Sequence, residues 1–320
     1  KSGSLKTKRH SDNMNIHRKR KEDSFIGRRI HILHWQLILC CWLLTFVCCQ
    51  GGKHRKPTST GQPYEVVVEG DSDSIITHIL SGYTPHLPQP EPMFSIIQVR
   101  RGMTQGSYLL VRNRIVVDIN AKHTGYAVKM RKDENASPQT IIYIQAQSAE
   151  QLRKHLDGYR LRDLLDQAEL KHLSLVIQQN PEKQKELYQR FGIHMKIPAS
   201  MIASKHDKDF TWLSNNANTG MQSLIAFRVK SHTPLQEQVD SALRRNMLGE
   251  TDSMYMQLVD LSTDQRGTSH GLWQMHGDDM GGPYVMKKKD NVVIIGFVYA
   301  PEKKKRILIK QLEAALSTIK

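Results

Sequence analysis

The chain has 320 residues, 39% hydrophobic and 24% charged, the composition of a globular protein with room for one large domain or two modest ones. Its formal net charge is +15, but the first thirty residues hold ten Lys/Arg against three acids and account for +7, leaving +8 over the rest, so no nucleic-acid partner is expected. All four cysteines, Cys40, Cys41, Cys48 and Cys49, fall in one apolar run, which leaves the part after residue 50 without a disulfide, a thiolate nucleophile or a sulfur-ligated zinc site.

Residues 1–29 are polar, basic and without periodicity, the pattern of a disordered leader. Met14 is read as the start of a long basic n-region. Residues 30–49, IHILHWQLILCCWLLTFVCC, follow as an apolar segment of about bilayer-spanning length. Three readings compete for it. A cleaved signal peptide needs small residues before the cut, which the positions near Val47 do not supply. A lipoprotein signal ends in Cys followed by a polar tether, and Cys48-Cys49-Gln50-Gly51-Gly52 provides that, behind the bulky Thr45-Phe46-Val47. An uncleaved anchor with its basic flank on the cytoplasmic side obeys the positive-inside rule. In every case the body lies outside the cytoplasm, held in the second reading by a lipid on Cys48 or Cys49 and in the third by the anchor. Residues 50–62 read as a flexible tether, with order beginning at Pro63.

The first half, 63–190, opens with a β-branched strand over 64–70 and a short helix over 71–80. Four prolines between Pro85 and Pro92 then impose a stiff, extended connection. Strands are expected over 94–100, 114–120 and 140–146. An amphipathic helix over 148–169, interrupted by Gly158, and a second over 171–191, with Asn180-Pro181 inside it, complete the half. The second half, 191–320, predicts strands over 191–201, 210–213, 223–229, 254–261 and 292–300, helices over 235–248 and 303–319, and loops over 214–220, 264–269 and 276–283. The fold class is α+β, or α/β, with two mixed-sheet halves each covered by amphipathic helices.

Two loops carry residues able to do chemistry. His276-Gly277-Asp278-Asp279 crowds two carboxylates and an imidazole beside Trp273 and Tyr284, a set that suits a hard cation or a ligand groove. Its spacing matches no metal loop, and Asp and Gly are also the usual turn formers. Trp212, Ser214, Asn215 and Asn216 would suit a pocket for a sugar or a peptide, or simply a polar turn. The runs Lys287-Lys288-Lys289 and Lys303-Lys304-Lys305-Arg306 read as solvated faces or as a surface for an anionic partner. No nucleophile elbow, zinc-protease helix or phosphate-binding glycine loop is present, and no cofactor is expected.

The stretches GLWQMHGDDMGGPYV and GFVYAPEKKKRILIKQLEAAL, together with DFTWLSNNANTG and GQPYEVVV behind a Cys-Gly-Gly tether, resemble one family, the uncharacterised envelope lipoproteins of Bacteroidota known as the domain of unknown function 4837 family. The resemblance runs from about Cys48 to the C-terminus and implies an exported, lipid-anchored protein with no assigned activity. The expected function is a membrane-tethered, non-catalytic binding or structural component of the envelope, with an envelope protein or a glycan as partner. The alternative is an envelope hydrolase or metal-assisted enzyme using His276, Asp278 and Asp279.

Overall fold

Runs of Val and Ile set the first sheet, because β-branched residues suit a pleated surface packed against helices. The strands β1 (Glu65–Glu69), β2 (Ser95–Val99), β3 (Asn113–Ile119) and β5 (Thr140–Ala146) are such runs and lie parallel. The edge strand β4 (Ala127–Lys132) runs antiparallel to β5, giving the order β2-β1-β3-β5-β4. The computed structural model describes residues 55–320 other than Asp252. The leader, the apolar segment with Cys48 and Cys49, and the first part of the tether lie outside the described residues. Order begins before Pro63, since Thr58 and Thr60 bridge to Ser137 and Val111 and tie the end of the expected tether to the sheet margin. Among the described residues no helix is long and apolar enough to cross a membrane.

One face of this sheet is covered by α1 (Ile75–Leu80), α2 (Ala149–His155) and α3 (Gly158–Val176) over a core that includes Val66, Val68, Ile115, Ile144 and Leu165. Each such buried side chain is worth about 1.5–3 kcal/mol. The helix expected over 148–169 is two helices, because Ser148 and Asp157 each start one by accepting the N–H of Gln151 and of Arg160. Asn180-Pro181 likewise begins a helix and does not interrupt one. Asn180 accepts the N–H of Lys183, and Pro181 occupies the first turn of α4 (Pro181–Phe191), where its missing N–H costs nothing.

The second sheet is antiparallel throughout. It contains β6 (Ala203–Asp207), β7 (Phe210–Ser214), β8 (Met221–Arg228), β9 (Tyr255–Thr263), β10 (Thr268–His276), β11 (Gly281–Lys289) and β12 (Val292–Tyr299), in the order β6-β7-β8-β12-β11-β10-β9. The helix α5 (Leu235–Asn246) covers one face through Val239 and Leu243. On the other face lie α4 and α6 (Arg306–Leu316), with Leu187, Phe191, Leu312 and Leu316 in one core. The strand expected over 191–201 is absent. Ile193, Met195, Ile197 and Met201 pack into that core from an extended segment bridged, among the described residues, at Gln179 to Pro198. The helix α4, expected from the sequence in the first half, packs with the second sheet.

The halves meet where α3 packs on α6. The layers run first sheet, α3, α6, second sheet, α5, and Ala314 of α6 enters the first core. Lys56–Lys320 forms a single compact unit.

Candidate functional site

The seam is built on a row of carboxylates. In α3, Asp163, Asp166 and Glu169 recur every three residues, which puts them along one side of the helix. Glu169 is fully buried and is satisfied within the first half, accepting from Tyr64 N (3.0 Å), Asn113 Nδ2 (2.6 Å) and Arg112 Nη1 (3.2 Å). Asp166 reaches across the seam. Its Oδ1 lies 2.8 Å from Lys310 Nζ on α6 and accepts the Tyr64 hydroxyl at 2.9 Å. Lys310 Nζ is also 3.0 Å from Glu313 Oε2, and Glu313 Oε1 is 3.2 Å from His270 Nε2 on β10. Asp163 closes the row at 3.3 Å from Arg266 Nη1, whose Nη2 sits 3.0 Å from Asp264.

The proline-rich connection after α1 straps the halves together. His86 places Nδ1 2.7 Å from Asp260 Oδ2 and Nε2 2.7 Å from Ser262 Oγ, both on β9. Glu91, buried, accepts the backbone N–H of Lys305 (2.5 Å) and Arg306 (3.2 Å), and so caps α6 from the other half. The sequence surrounds the start of α6 with basic residues, and Glu91 is the carboxylate that its dipole requires.

Between strap, α3, β10 and α6 opens a cleft of about 600 Å³. Tyr83 and Tyr159 line it while remaining 66% and 67% exposed. Four carboxylates and three Lys/Arg side chains line it too, so its formal charge is close to balanced.

The charge states of the buried groups are held firmly. Burial alone would push the Glu313 carboxyl up, but Lys310 and His270 outweigh it and hold it well below the usual carboxylate range. Burial would lower Lys310, yet Glu313 and Asp166 raise it. The Tyr64 phenol is pushed well up, first by burial and then by Asp166.

Asp264, His270 and Glu313 offer one ligand atom each within 4.8 Å of one another, a geometry that invites a cation. Their electrons are already engaged. Asp264 accepts the N–H of Arg266 and Thr268 and pairs with the Arg266 guanidinium, and Glu313 carries Lys310 and His270. Two protein cations thus stand where a metal would have to enter, and the set is an ion network.

Of the residues singled out in the sequence, Tyr284 lines the cleft and the others lie elsewhere. Trp273 is buried, donates to Val298 O at 3.1 Å and packs edge-on against Phe297. Tyr284 is buried in the same core. His276 ends β10 and stacks on Tyr255 at 4.8 Å, and Asp278 and Asp279 are exposed on the turn into β11. The loop expected over 276–283 is a short hairpin turn. Gly277 turns it with φ 84°, and Gly282 lets β11 approach β12, since a Cβ there would lie 2.1 Å from Val298 O. In the β7–β8 turn, Ser214 accepts from Asn216 N, and Asn215 accepts from Ala217 N and Gln222 N, so these side chains are occupied in shaping the turn. Trp212 packs against the core beneath α5, and Asn216 takes the left-handed conformation at φ 48°. Apart from Tyr284 and the proline-rich connection, the cleft residues drew no notice in the sequence. Asp163, Asp166 and Glu169 at spacing three were the one signal there to find.

An α+β body of two sheets joined across a polar seam is thus the class that fold and site define. Residues 180–318 match the family described as Domain of unknown function (DUF4837), and residues 59–178 match a second, described as Domain of unknown function (DUF8532). The single resemblance read from Cys48 onward therefore resolves into two, divided just before α4. No curated protein matches the chain. The solution structure of cyanobacterial PsbP (CyanoP) from Synechocystis is similar over 40% of this chain and 86% of that one, at 11% identity and a TM-score of 0.26.

Proposed function

We propose that the chain is an exported, lipid-tethered lipoprotein of the cell envelope whose body binds a ligand in the seam cleft without transforming it. The tether rests on the apolar segment 30–49 and the Cys48-Cys49-Gln50-Gly51-Gly52 that closes it. The observation that carries binding is the cleft, whose volume of about 600 Å³ lies inside the range of roughly 300–1,000 Å³ common to ligand sites. Its walls come from both halves and are pinned by His86, Lys310 and Arg266, so the site is formed before a ligand arrives.

Acid–base catalysis works best with a group whose pKa lies near the operating pH. Glu313 is shifted down and Lys310 and Tyr64 are shifted up, all away from neutrality, which favours a binding role for the network. The hydrolase or metal-assisted alternative needs His276, Asp278 and Asp279 to converge, and His276 is stacked on Tyr255 while the carboxylates face solvent.

Native mass spectrometry of the full chain, extracted from envelope membranes, tests the cleft. The parent is expected to carry a small-molecule adduct that Gly82→Trp, which fills the cleft from an open position, loses. Indistinguishable spectra would sink the reading. Fatty-acid labelling in cells tests the tether, since changing both Cys48 and Cys49 to Ser is expected to abolish it.

A further inference from the structure

Tyr83 and Tyr159 are an unusual pair to leave in water, two large rings about two-thirds exposed on the wall of one cleft. Exposed aromatic surface at a site rimmed by polar groups marks a place where another molecule is meant to lie. We propose that this molecule is a neutral saccharide, an inference that rests on the cleft-binding reading above and adds its ligand class.

A pyranose ring is apolar on the faces where its C–H bonds cluster and polar around its edge, where hydroxyls point outward. Aromatic faces suit the first, and fixed planar polar groups suit the second. The cleft offers both. Arg162 is held by one bond from Nη1 to Ile79 O (3.1 Å), so most of its five N–H donors are left to bridge neighbouring hydroxyls. Arg266 is pinned between Asp163 and Asp264, and the His86 ring between Asp260 and Ser262. None of these groups has to be ordered when a ligand binds, which removes an entropy cost that weak sugar contacts could not offset.

Charge selects against the other polar ligands. An acidic glycan or a phosphate would meet one cation without a carboxylate partner, Arg162, on walls that carry four carboxylates, since Lys310 and Arg266 already hold two carboxylates each. A quaternary ammonium would need free negative charge and several rings around it. Here Asp166, Asp163, Asp264 and Glu313 are all taken by protein cations, and the exposed rings number two. A neutral, hydroxyl-rich ligand loses nothing to this balance.

Isothermal titration of the full chain in lipid nanodiscs, which avoids sugar detergents, tests the assignment. The probes are cellotriose, maltotriose and chitotriose, with trigalacturonate, choline and octanol as comparators. At least one neutral trisaccharide is expected to bind, about tenfold more weakly to Tyr83→Ala and to Tyr159→Ala, a loss of the size that ring contacts carry. Tyr83→Phe and Tyr159→Phe keep the ring and should keep the affinity, and Gly82→Trp should abolish binding. If the trisaccharides are silent while trigalacturonate, choline or octanol binds and Gly82→Trp removes that signal, the saccharide assignment is overturned and the cleft reading stands. Silence from every probe overturns both.

Discussion

Lys310 shows what a single buried charge does when it is shared. Its ammonium serves Asp166 from one half and Glu313 from its own helix, and all three are buried. A buried pair adds little net stability over apolar packing, but removing one partner strands the other. Lys310→Met is therefore expected to destabilise the fold by about 3–5 kcal/mol in urea unfolding, and adding Asp166→Leu to it should cost less than the two changes sum to. The network also sets a pH window. Glu313 is shifted down, so its contribution is present above its unfolded value of about 4.3 and lost as pH falls through the folded one. Lys310 is shifted up, so its contribution is present below about 10.4 and lost as pH rises through the folded value. The melting temperature is expected to be level between roughly pH 5 and pH 10, with the acid limb shallower in Glu313→Gln than in the parent. Equal acid limbs would refute the role given to Glu313.

Among the elements, β1, β3, β5 and β12 were plain in the sequence because buried strands concentrate Val and Ile. The edge strands β4 (AVKMRK) and β6 (ASKHD) were not, since each pairs on one side only and is almost wholly exposed. The β10–β11 hairpin was hidden by its glycines and by Pro283, which sits in a central strand. Pro283 lies just beyond Tyr284↔Phe297, the last pair of the β11–β12 ladder. Gly282→Ala is accordingly expected to cost about 1–3 kcal/mol or more by thermal melting, as overpacking does. Asp278→Ala and Asp279→Ala on the neighbouring turn should stay within about 0.5 kcal/mol of the parent. A large loss from either would restore that turn as a site. The stiffness of the four-proline connection was legible, but its destination was not, because local pattern cannot say that His86 will meet Asp260 or that Glu91 will meet Lys305.

At the scale of the molecule the cleft belongs to neither half. Its walls come from positions 82–93, 159–166, 262–270, 283–284 and 309–313, a scatter that no motif search brings together. Glu91→Ala tests how tightly the halves are coupled. Loss of a cap costs about 0.5–2 kcal/mol, and because this one crosses the seam, far-ultraviolet and aromatic signals should still shift together in a single transition. Two separate transitions would show that the halves melt independently.

The cap by Glu91 and the bond from Asp166 to Lys310 join residues on opposite sides of the division between the two matched families. Neither segment is therefore a portable module. A chimera that grafts 180–318 onto a different neighbour inherits a helix with an uncapped start and a lysine with half its counter-charge. A drift at position 166 on one side constrains what position 310 can become on the other.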